Sequence, residues 1–428
     1  MTTSMWITLA IVVLMIVLII MDKLPFGAPA LLAAALLVAT GQLDIATAFK
    51  GFADKNVVMI MGFMACMVAL QKTELIFKLK KVLAKIATKG GIGGFILLII
   101  AIMAIGNFIS GTAFYMLILT LVSTIPYNEK LPNSKILLPA VMATNASGWL
   151  PTGVVFYVGL VSSLTESAGY TGTVSIDTMS VCIMNIVFSV IYLIYAVVMH
   201  KLLPDHDIQE GTEKVDEGKE ETFVATLTKT QETIVYVLYV VLLVALLNLS
   251  KFPNEIGYGI PVLIAVLFMA FGIYDIKTLL GNMFSPVMIM MASVIGVAEG
   301  MSACGLSTLL GEKIATILGA NPSMFILVLA FALMTSLMAT FTGASFGSLF
   351  IFAPIGISLC MQYGFSPVPL TFACVLAAWT NFFMPIDGMP ALTMGMGKYK
   401  ITTFWLYTIP LWIIKMLTIC VFAATFLA

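Results

Sequence analysis

The sequence predicts an all-α polytopic membrane protein, built from two inverted repeats of five transmembrane helices that each carry one re-entrant hairpin. Three observations lead to this fold class. Of the 428 residues, 61% are hydrophobic and 10% are charged, whereas soluble domains are roughly half apolar and about a quarter charged. Apolar runs long enough to cross a hydrocarbon core of about 30 Å recur along the whole chain. The second half also repeats motifs of the first half in the same order.

Charge balance and cysteine spacing exclude several classes of protein. Lysine and arginine together number 21, as do the acidic residues, so we expect neither nucleic acid nor an anionic surface as a partner. Every basic residue is a lysine, which removes bidentate arginine as the ligand of an anion. The six cysteines lie in apolar runs without C-x-x-C spacing, and the 29 methionines favour flexible core packing over copper transport. We therefore expect no transition metal and no cofactor.

Residues 1–200 form the first predicted repeat. A lysine-rich stretch at 72–89 has the spacing of an amphipathic helix that lies on the membrane surface. The apolar segment at about 92–125 is too long to cross straight, and the glycine and hydroxyl residues of FISGTAF at its middle predict a re-entrant hairpin. The other spans are predicted at about 4–20, 25–41, 56–71, 136–160 (interrupted by TNASGWLPTG) and 178–199.

Residues 201–231 are the longest hydrophilic stretch, and we predict that they form a solvated linker between two membrane halves. Residues 232–428 form the second predicted repeat, whose hairpin at about 324–356 carries FTGASFG. Its other spans are predicted at about 232–250, 257–274, 284–303, 367–388 and 403–426.

Two pairs of motifs support the repeat. The hairpin centres read [Ser/Thr]-Gly-[Thr/Ala]-[Ala/Ser]-Phe from Ser110 and from Thr342. The interrupted spans share Thr144-Asn145, Pro151 and Gly153 in the first half and Thr380-Asn381, Pro385 and Gly388 in the second. Because each half holds an odd number of spans, the second half enters the membrane upside down. Most lysines fall on the side of the linker, so the positive-inside rule predicts a cytoplasmic linker and an outside N-terminus, in the plasma (inner) membrane.

The stretch GASFG within FTGASFG matches the G-x-S-x-G pattern of many hydrolases. Its serine, Ser345, has no base nearby in the sequence, since the two histidines, His200 and His206, both lie at the linker. Non-helical backbone at membrane depth is tolerated only where it is buried in protein or lines a water-filled cavity. Inverted repeats that meet at mid-membrane are typical of secondary transporters. The pattern therefore favours a transporter over an enzyme.

The order of spans, surface helix, hairpin and interrupted span, present twice, resembles the ion transporter superfamily. Within it the chain resembles the divalent anion/sodium symporter family of dicarboxylate, citrate and sulfate carriers, also in LPFGAPALLAAALLVATGQLDIATAFKGFADKNVVMI. That family has Ser-Asn-Thr at each hairpin tip, where this chain has the degenerate Ser110-Gly111-Thr112 and Thr342-Gly343-Ala344. The resemblance implies carbonyl-donating loops at 145–148 and 381–384, a homodimer, and an elevator movement of the hairpin domain.

The hairpins and interrupted spans supply the candidate site residues. The substrate-binding candidates are Ser110, Gly111, Thr112, Thr342, Gly343, Ala344, Ser345, Thr380, Asn381 and Pro385. The candidates for cation binding or coupling are Ser110, Asn145, Ser147, Gly148, Thr342, Asp387 and Glu299. The tip hydroxyls either bind ligands or bond back to their own helices.

Three charged residues in or near predicted spans leave alternatives open. Asp387 is a cation ligand, a proton carrier or a solvated residue at a helix end, since an acid in a membrane is costly. Glu299 serves proton coupling or forms a scaffold ion pair. Lys415, within the last span, snorkels, neutralises an acid or packs without a functional role.

We expect a secondary active transporter that moves a small anion, a di- or tricarboxylate, by an elevator-type mechanism coupled to sodium or protons, with sodium at the hairpin tips and membrane lipid around it. Within the same superfamily the alternatives are an arsenite-type metalloid exporter and the membrane subunit of a binding-protein-dependent carboxylate transporter. Outside it, the alternatives are a non-transporting membrane anchor or sensor and an intramembrane hydrolase.

Overall fold

The computed structural model confirms the all-helical fold class. It describes residues 2–21, 24–25, 27–87, 91–109, 111–123, 125, 127–129, 131–208, 227–248, 252, 256–309, 313, 322–342, 345–384 and 388–427. Within these residues every regular element is a helix.

Helices of the first half correspond closely to the predicted spans. The α-helices are α1 Thr3–Met21, α2 Ala28–Ala39, α3 Ile45–Ala48, α4 Lys55–Gln71, α5 Glu74–Ala87, α6 Gly91–Ile105, α7 Gly111–Ser123, α8 Asn133–Ala143, α9 Pro151–Ser167 and α10 Thr178–Met199. Short 3-10 turns lie at Lys50–Ala53, Thr144–Ala146 and His200–Leu202. The predicted hairpin segment is thus two helices, α6 and α7, and the interrupted span is α8 and α9.

Helices of the second half follow in the same order. They are α11 Lys229–Leu247, α12 Ile256–Ala270, α13 Ile276–Met283, α14 Pro286–Ala303, α15 Met324–Thr342, α16 Ser345–Gln362, α17 Val368–Ala378, α18 Gly388–Met396 and α19 Ile401–Phe426. Here α15 and α16 form the predicted hairpin segment, and α17 and α18 form the second interrupted span.

The length and composition of these helices fit a multi-pass membrane protein. In the described part of the chain, 6 helices are long and apolar enough to cross a membrane, or up to 8 if each of two bent pairs is one span. In one bent pair α5 turns 65° away from α4, as expected of a helix that leaves the core for the membrane surface. The other is α8 with α9, bent by 59° at the first interruption.

A matching helix cap appears in both halves, at short helices that the apolar runs do not predict. The Asp44 carboxylate accepts the backbone N–H of Thr47 at 2.8 Å and begins α3. Asp275 accepts the backbone N–H of Thr278 at 3.1 Å and begins α13. The same Asp-Ile-x-Thr sequence therefore starts a short helix at the equivalent place in each half, which supports the internal repeat.

Two glycines let helices of the two halves cross closely. A Cβ on Gly62 of α4 would lie 2.3 Å from the backbone nitrogen of Val262 in α12. A Cβ on Gly296 of α14 would lie 1.9 Å from the carbonyl oxygen of Ala48 in α3. Such approaches leave no room for a side chain, and small residues at crossings are how membrane helices pack tightly. These crossings join the first and second halves into one scaffold.

The start of the predicted linker is packed against α8. Leu203 and Ile208 are buried, and the Asn133 side chain accepts the backbone N–H of Ile208 at 3.1 Å. Asn133 also donates to the Asp207 carboxylate at 2.7 Å. Residues 209–226 of the predicted linker lie outside the described residues.

Candidate functional site

The first interruption separates α8 from α9. After the 3-10 turn Thr144–Ala146 the chain runs irregularly to Pro151, and Gly148 adopts a left-handed φ of 104°. The Ser147 hydroxyl donates to the carbonyl of Thr144 at 2.9 Å. The last carbonyls of α8 and the first N–H groups of α9 consequently need partners other than their own helices.

Asn107, in the break between α6 and α7, supplies several of these partners at once. Its side-chain oxygen accepts the N–H groups of Gly148 and Leu150, each at 3.1 Å. Its amide nitrogen donates to the carbonyls of Met103 and Ala104 in the last turn of α6, at 3.1 and 2.9 Å. One buried side chain therefore joins the C-terminus of α6 to the entrance of α9.

Helix α10 supports the other side of the first interruption. The Ser189 hydroxyl donates to the carbonyl of Ala146 and accepts the indole N–H of Trp149 at 2.7 Å. The Asn185 amide donates to the carbonyl of Gly148 at 3.1 Å. Side chains of its own half thereby hold the irregular backbone of this interruption from Ala146 to Leu150.

The second hairpin meets the second interruption through hydroxyl and amide groups. The Asn381 amide donates to the Ser345 hydroxyl at the start of α16, at 3.3 Å. The Ser336 hydroxyl of α15 donates to the carbonyl of Thr380 at 2.6 Å and accepts the indole N–H of Trp412 at 2.8 Å. This arrangement places an amide and a hydroxyl at a helix N-terminus, where partial positive charge favours anions.

Contacts between the halves are reciprocal. The ring of Phe346, at the start of α16, packs edge-on against Trp379 with centroids 4.9 Å apart, and Trp379 in turn packs against Phe156 of α9 at 5.8 Å. On the other side the Tyr115 hydroxyl of α7 donates to the carbonyl of Met389 in α18 at 2.6 Å. The second helix of each hairpin segment thus reaches the second half-helix of the opposite interrupted span.

Lys415 of α19 lies between the two interruptions. Its ammonium donates to the carbonyl of Asn145 at 3.3 Å. It also lies over the rings of Phe188 in α10 and Phe382 in the second interruption, 5.7 Å from each centroid. A positive charge from the last helix therefore contacts the loop of the first repeat and the loop of the second.

Several predicted site residues come together in this region. Thr380, Asn381 and Ser345 meet at the second interruption, and Asn145, Ser147 and Gly148 form the first. The Thr342 hydroxyl bonds back to the carbonyl of Met338 at 2.6 Å. Other predicted site residues lie outside the described residues: Ser110, Gly343, Ala344, Pro385 and Asp387, and the side chain of Thr112. Gly111 is the first residue of α7.

Glu299 has a partner of its own. It forms an ion pair with Lys50, and the two side chains are 22% and 40% exposed. Both residues belong to the part of the fold that contains α14 and the 3-10 turn Lys50–Ala53. The ion pair fits the scaffold alternative for Glu299, and a role of Glu299 in proton coupling stays a prediction.

Sequence reasoning missed two of the residues that organise the site. Asn107 stands in the apolar run IGNFIS, and a polar amide within such a run was the available signal. For Lys415 the sequence predicts a snorkelling, acid-neutralising or packing side chain, and it does not predict the contact with Asn145. Among the described residues no three His, Cys, Asp or Glu side chains could jointly hold a metal ion.

Comparisons with known proteins agree with this architecture. The family model described as citrate transporter matches residues 16–258, more than half of the chain. Among solved structures, the YdaH transporter of Alcanivorax borkumensis matches with a TM-score of 0.61 and 15% sequence identity. That match covers 100% of this chain and 98% of the YdaH chain, and it shows a shared fold. No curated protein sequence matches the chain.

Proposed function

The chain belongs to the citrate transporter family and is a secondary anion transporter of the multi-pass membrane type, so we propose that its substrate is a di- or tricarboxylate of the citrate class. We propose that sodium ions or protons drive the transport, through an elevator movement of a homodimer. The proposed orientation has the N-terminus outside and the central linker in the cytoplasm. The family is one of carriers, which argues against the hydrolase interpretation of Ser345.

One observation carries the substrate proposal. The Ser345 hydroxyl and the Asn381 amide lie 3.3 Å apart at the N-terminus of α16, a place where free N–H groups and the helix dipole attract a carboxylate. The chain holds no arginine, so bidentate guanidinium contacts are not available and helix ends, hydroxyls and amides are proposed to bind the anion. We propose that Thr380 and Pro385 of the second interruption, together with the hairpin-tip residues 110–112 and 342–344, complete this site.

The test is uptake of radiolabelled citrate by the purified protein in liposomes. Uptake should accumulate citrate under an imposed sodium gradient or an imposed proton gradient, and unlabelled succinate or malate should compete if the carboxylates are what the site recognises. No accumulation under either gradient would contradict the proposal. Accumulation of arsenite instead would identify the metalloid exporter, and dependence on an added binding protein would identify the membrane subunit.

Two substitutions localise the site. Ser345→Ala and Asn381→Ala should each raise the citrate KM about tenfold, which corresponds to the loss of one hydrogen bond to a charged group. Ser358→Ala, a buried hydroxyl further along α16, is the matched control and should leave the KM unchanged. Equal changes in KM for all three substitutions would show that the substrate does not bind at the start of α16.

A further inference from the structure

Lys415 carries a charge near the middle of a membrane-spanning helix. It lies within α19, Ile401–Phe426, and is half-buried. An ionisable side chain at that depth is costly and is retained where it has a partner and a function. Among the described residues no carboxylate lies within ion-pair distance of Lys415. Neutralisation of a described acid therefore does not explain it.

The ammonium of Lys415 sits instead at the end of a helix. Asn145, whose carbonyl it contacts at 3.3 Å, belongs to the 3-10 turn that ends α8. The last carbonyls of a helix have no partners within it and carry partial negative charge. The rings of Phe188 and Phe382 add two faces that attract a cation. These surroundings are those of a cation site.

Several backbone groups of the first interruption have partners within the chain. Asn107 accepts the N–H groups that lead into α9, and Ser189 and Lys415 donate to consecutive carbonyls, those of Ala146 and Asn145. In secondary transporters the carbonyls and C-terminal ends of interrupted helices coordinate the coupling cation. In this chain a lysine ammonium, with the same single charge, donates to one of them.

We propose that the Lys415 ammonium is a built-in cation that replaces a coupling sodium ion at the first interruption. This inference rests on the proposed function and deepens it, because it assigns the cation requirement of one half of the site. Anion binding by the wild-type protein then needs no sodium at this loop. Removal of the ammonium creates an additional sodium requirement, at this loop, that the wild-type protein lacks.

The experiment measures binding of radiolabelled citrate to the purified full-length protein, in sodium chloride and in choline chloride at one pH. Lys415→Met removes the charge and the donor, and Lys415→Gln keeps a donor without the charge. Both variants should bind citrate about tenfold more weakly than wild type in choline, because a positive charge between the two interruptions is lost, and sodium should restore their affinity. Lys400→Met, at the start of the same helix, is the control and should behave as wild type in both salts.

Two outcomes would overturn the inference. One is citrate affinity of Lys415→Gln in choline equal to that of wild type, which would show that a hydrogen-bond donor suffices. The other is a loss of affinity in both variants that sodium does not restore, which would show that no cation site is uncovered.

Thermal stability without any anion separates this inference from the proposed function. Exchange of choline for sodium should raise the melting temperature of Lys415→Gln by more than that of the wild type, since an additional bound ion stabilises the folded state by mass action. If the wild type binds no carboxylate but this pattern holds, the substrate proposal fails and the built-in cation stands. If carboxylates bind and neither variant responds to sodium, only the built-in cation fails.

Discussion

Replacing Asn107 with alanine removes a side chain that serves two helices at once, and we expect a large loss of stability. The side-chain oxygen accepts N–H groups from Gly148 and Leu150, each at 3.1 Å. Asn107 is 3% exposed, so water does not readily replace it. Alanine therefore leaves two N–H groups at the entrance of α9 without an acceptor.

The magnitude follows from these contacts. An unsatisfied buried donor costs about 1–3 kcal/mol, so two of them lower the free energy of unfolding by about 2–6 kcal/mol. Loss of the amide nitrogen adds to this cost, because it removes the donor to the carbonyls of Met103 and Ala104 in the last turn of α6. Asn185→Ala is a matched control at the same loop, since it removes one bond, to the carbonyl of Gly148, from a half-buried residue. That loss should cost only about 0.5–1.5 kcal/mol.

The assay is unfolding in mixed detergent micelles, followed with a thiol-reactive dye. All cysteines except Cys304 are buried, so labelling reports the loss of packing. The transition of Asn107→Ala should come at a clearly lower denaturant concentration than that of Asn185→Ala. Equal transitions for the two variants would refute the claim that Asn107 bridges α6 and α9.

Two further predictions concern charged residues outside the site. A double-mutant cycle with Lys50→Met and Glu299→Gln measures the coupling energy of this ion pair. It should be no more than about 1 kcal/mol, because both side chains are partly exposed. A larger coupling energy would contradict a partly exposed ion pair. At the start of α10, hydrogen bonds from the Ser180 side chain and from backbone N–H groups hold the pKa of Asp177 below its ordinary value of 3.8. The ionised Asp177 cap therefore stabilises the fold above pH 3.8, and this contribution is lost as the pH falls through the lowered pKa. Asp177→Ala should destabilise the protein near neutral pH and make little difference in strong acid. An equal loss of stability at both pH values would refute the role of Asp177 as an ionised helix cap.

Hydrophobic runs and their interruptions predicted most of the fold, because membrane spans must be apolar and must satisfy their own backbone. The two hairpin segments and the two interrupted spans appear as broken helices where glycine and hydroxyl residues cluster. Helices α3 and α13 were missed because four and eight residues are too short to show a helical period. The Asp-Ile-x-Thr caps at Asp44 and Asp275 were the signal that could have found them.

The site was predictable where polar residues interrupt apolar runs in matched places, as at Asn145 and Asn381. Long-range partners were not predictable, because a single sequence carries no distances. Lys415 contacts a carbonyl 270 positions earlier in the chain. Asn107, in the break between α6 and α7, accepts the N–H of Gly148 in the break between α8 and α9. The chemistry of each residue was visible, whereas its partner depended on how the two halves interlock.

The contact between Lys415 and Asn145 also sets an order for biogenesis. The ribosome delivers the lysine 270 residues after the carbonyl that it contacts, which takes roughly 15–55 s at ordinary rates of elongation. During that interval the first interruption has been synthesised, but the carbonyl of Asn145 still lacks its contact with the Lys415 ammonium. Insertion of the final helix is therefore the step that closes the first half, and a truncated chain that ends before α19 should remain a substrate for membrane quality control.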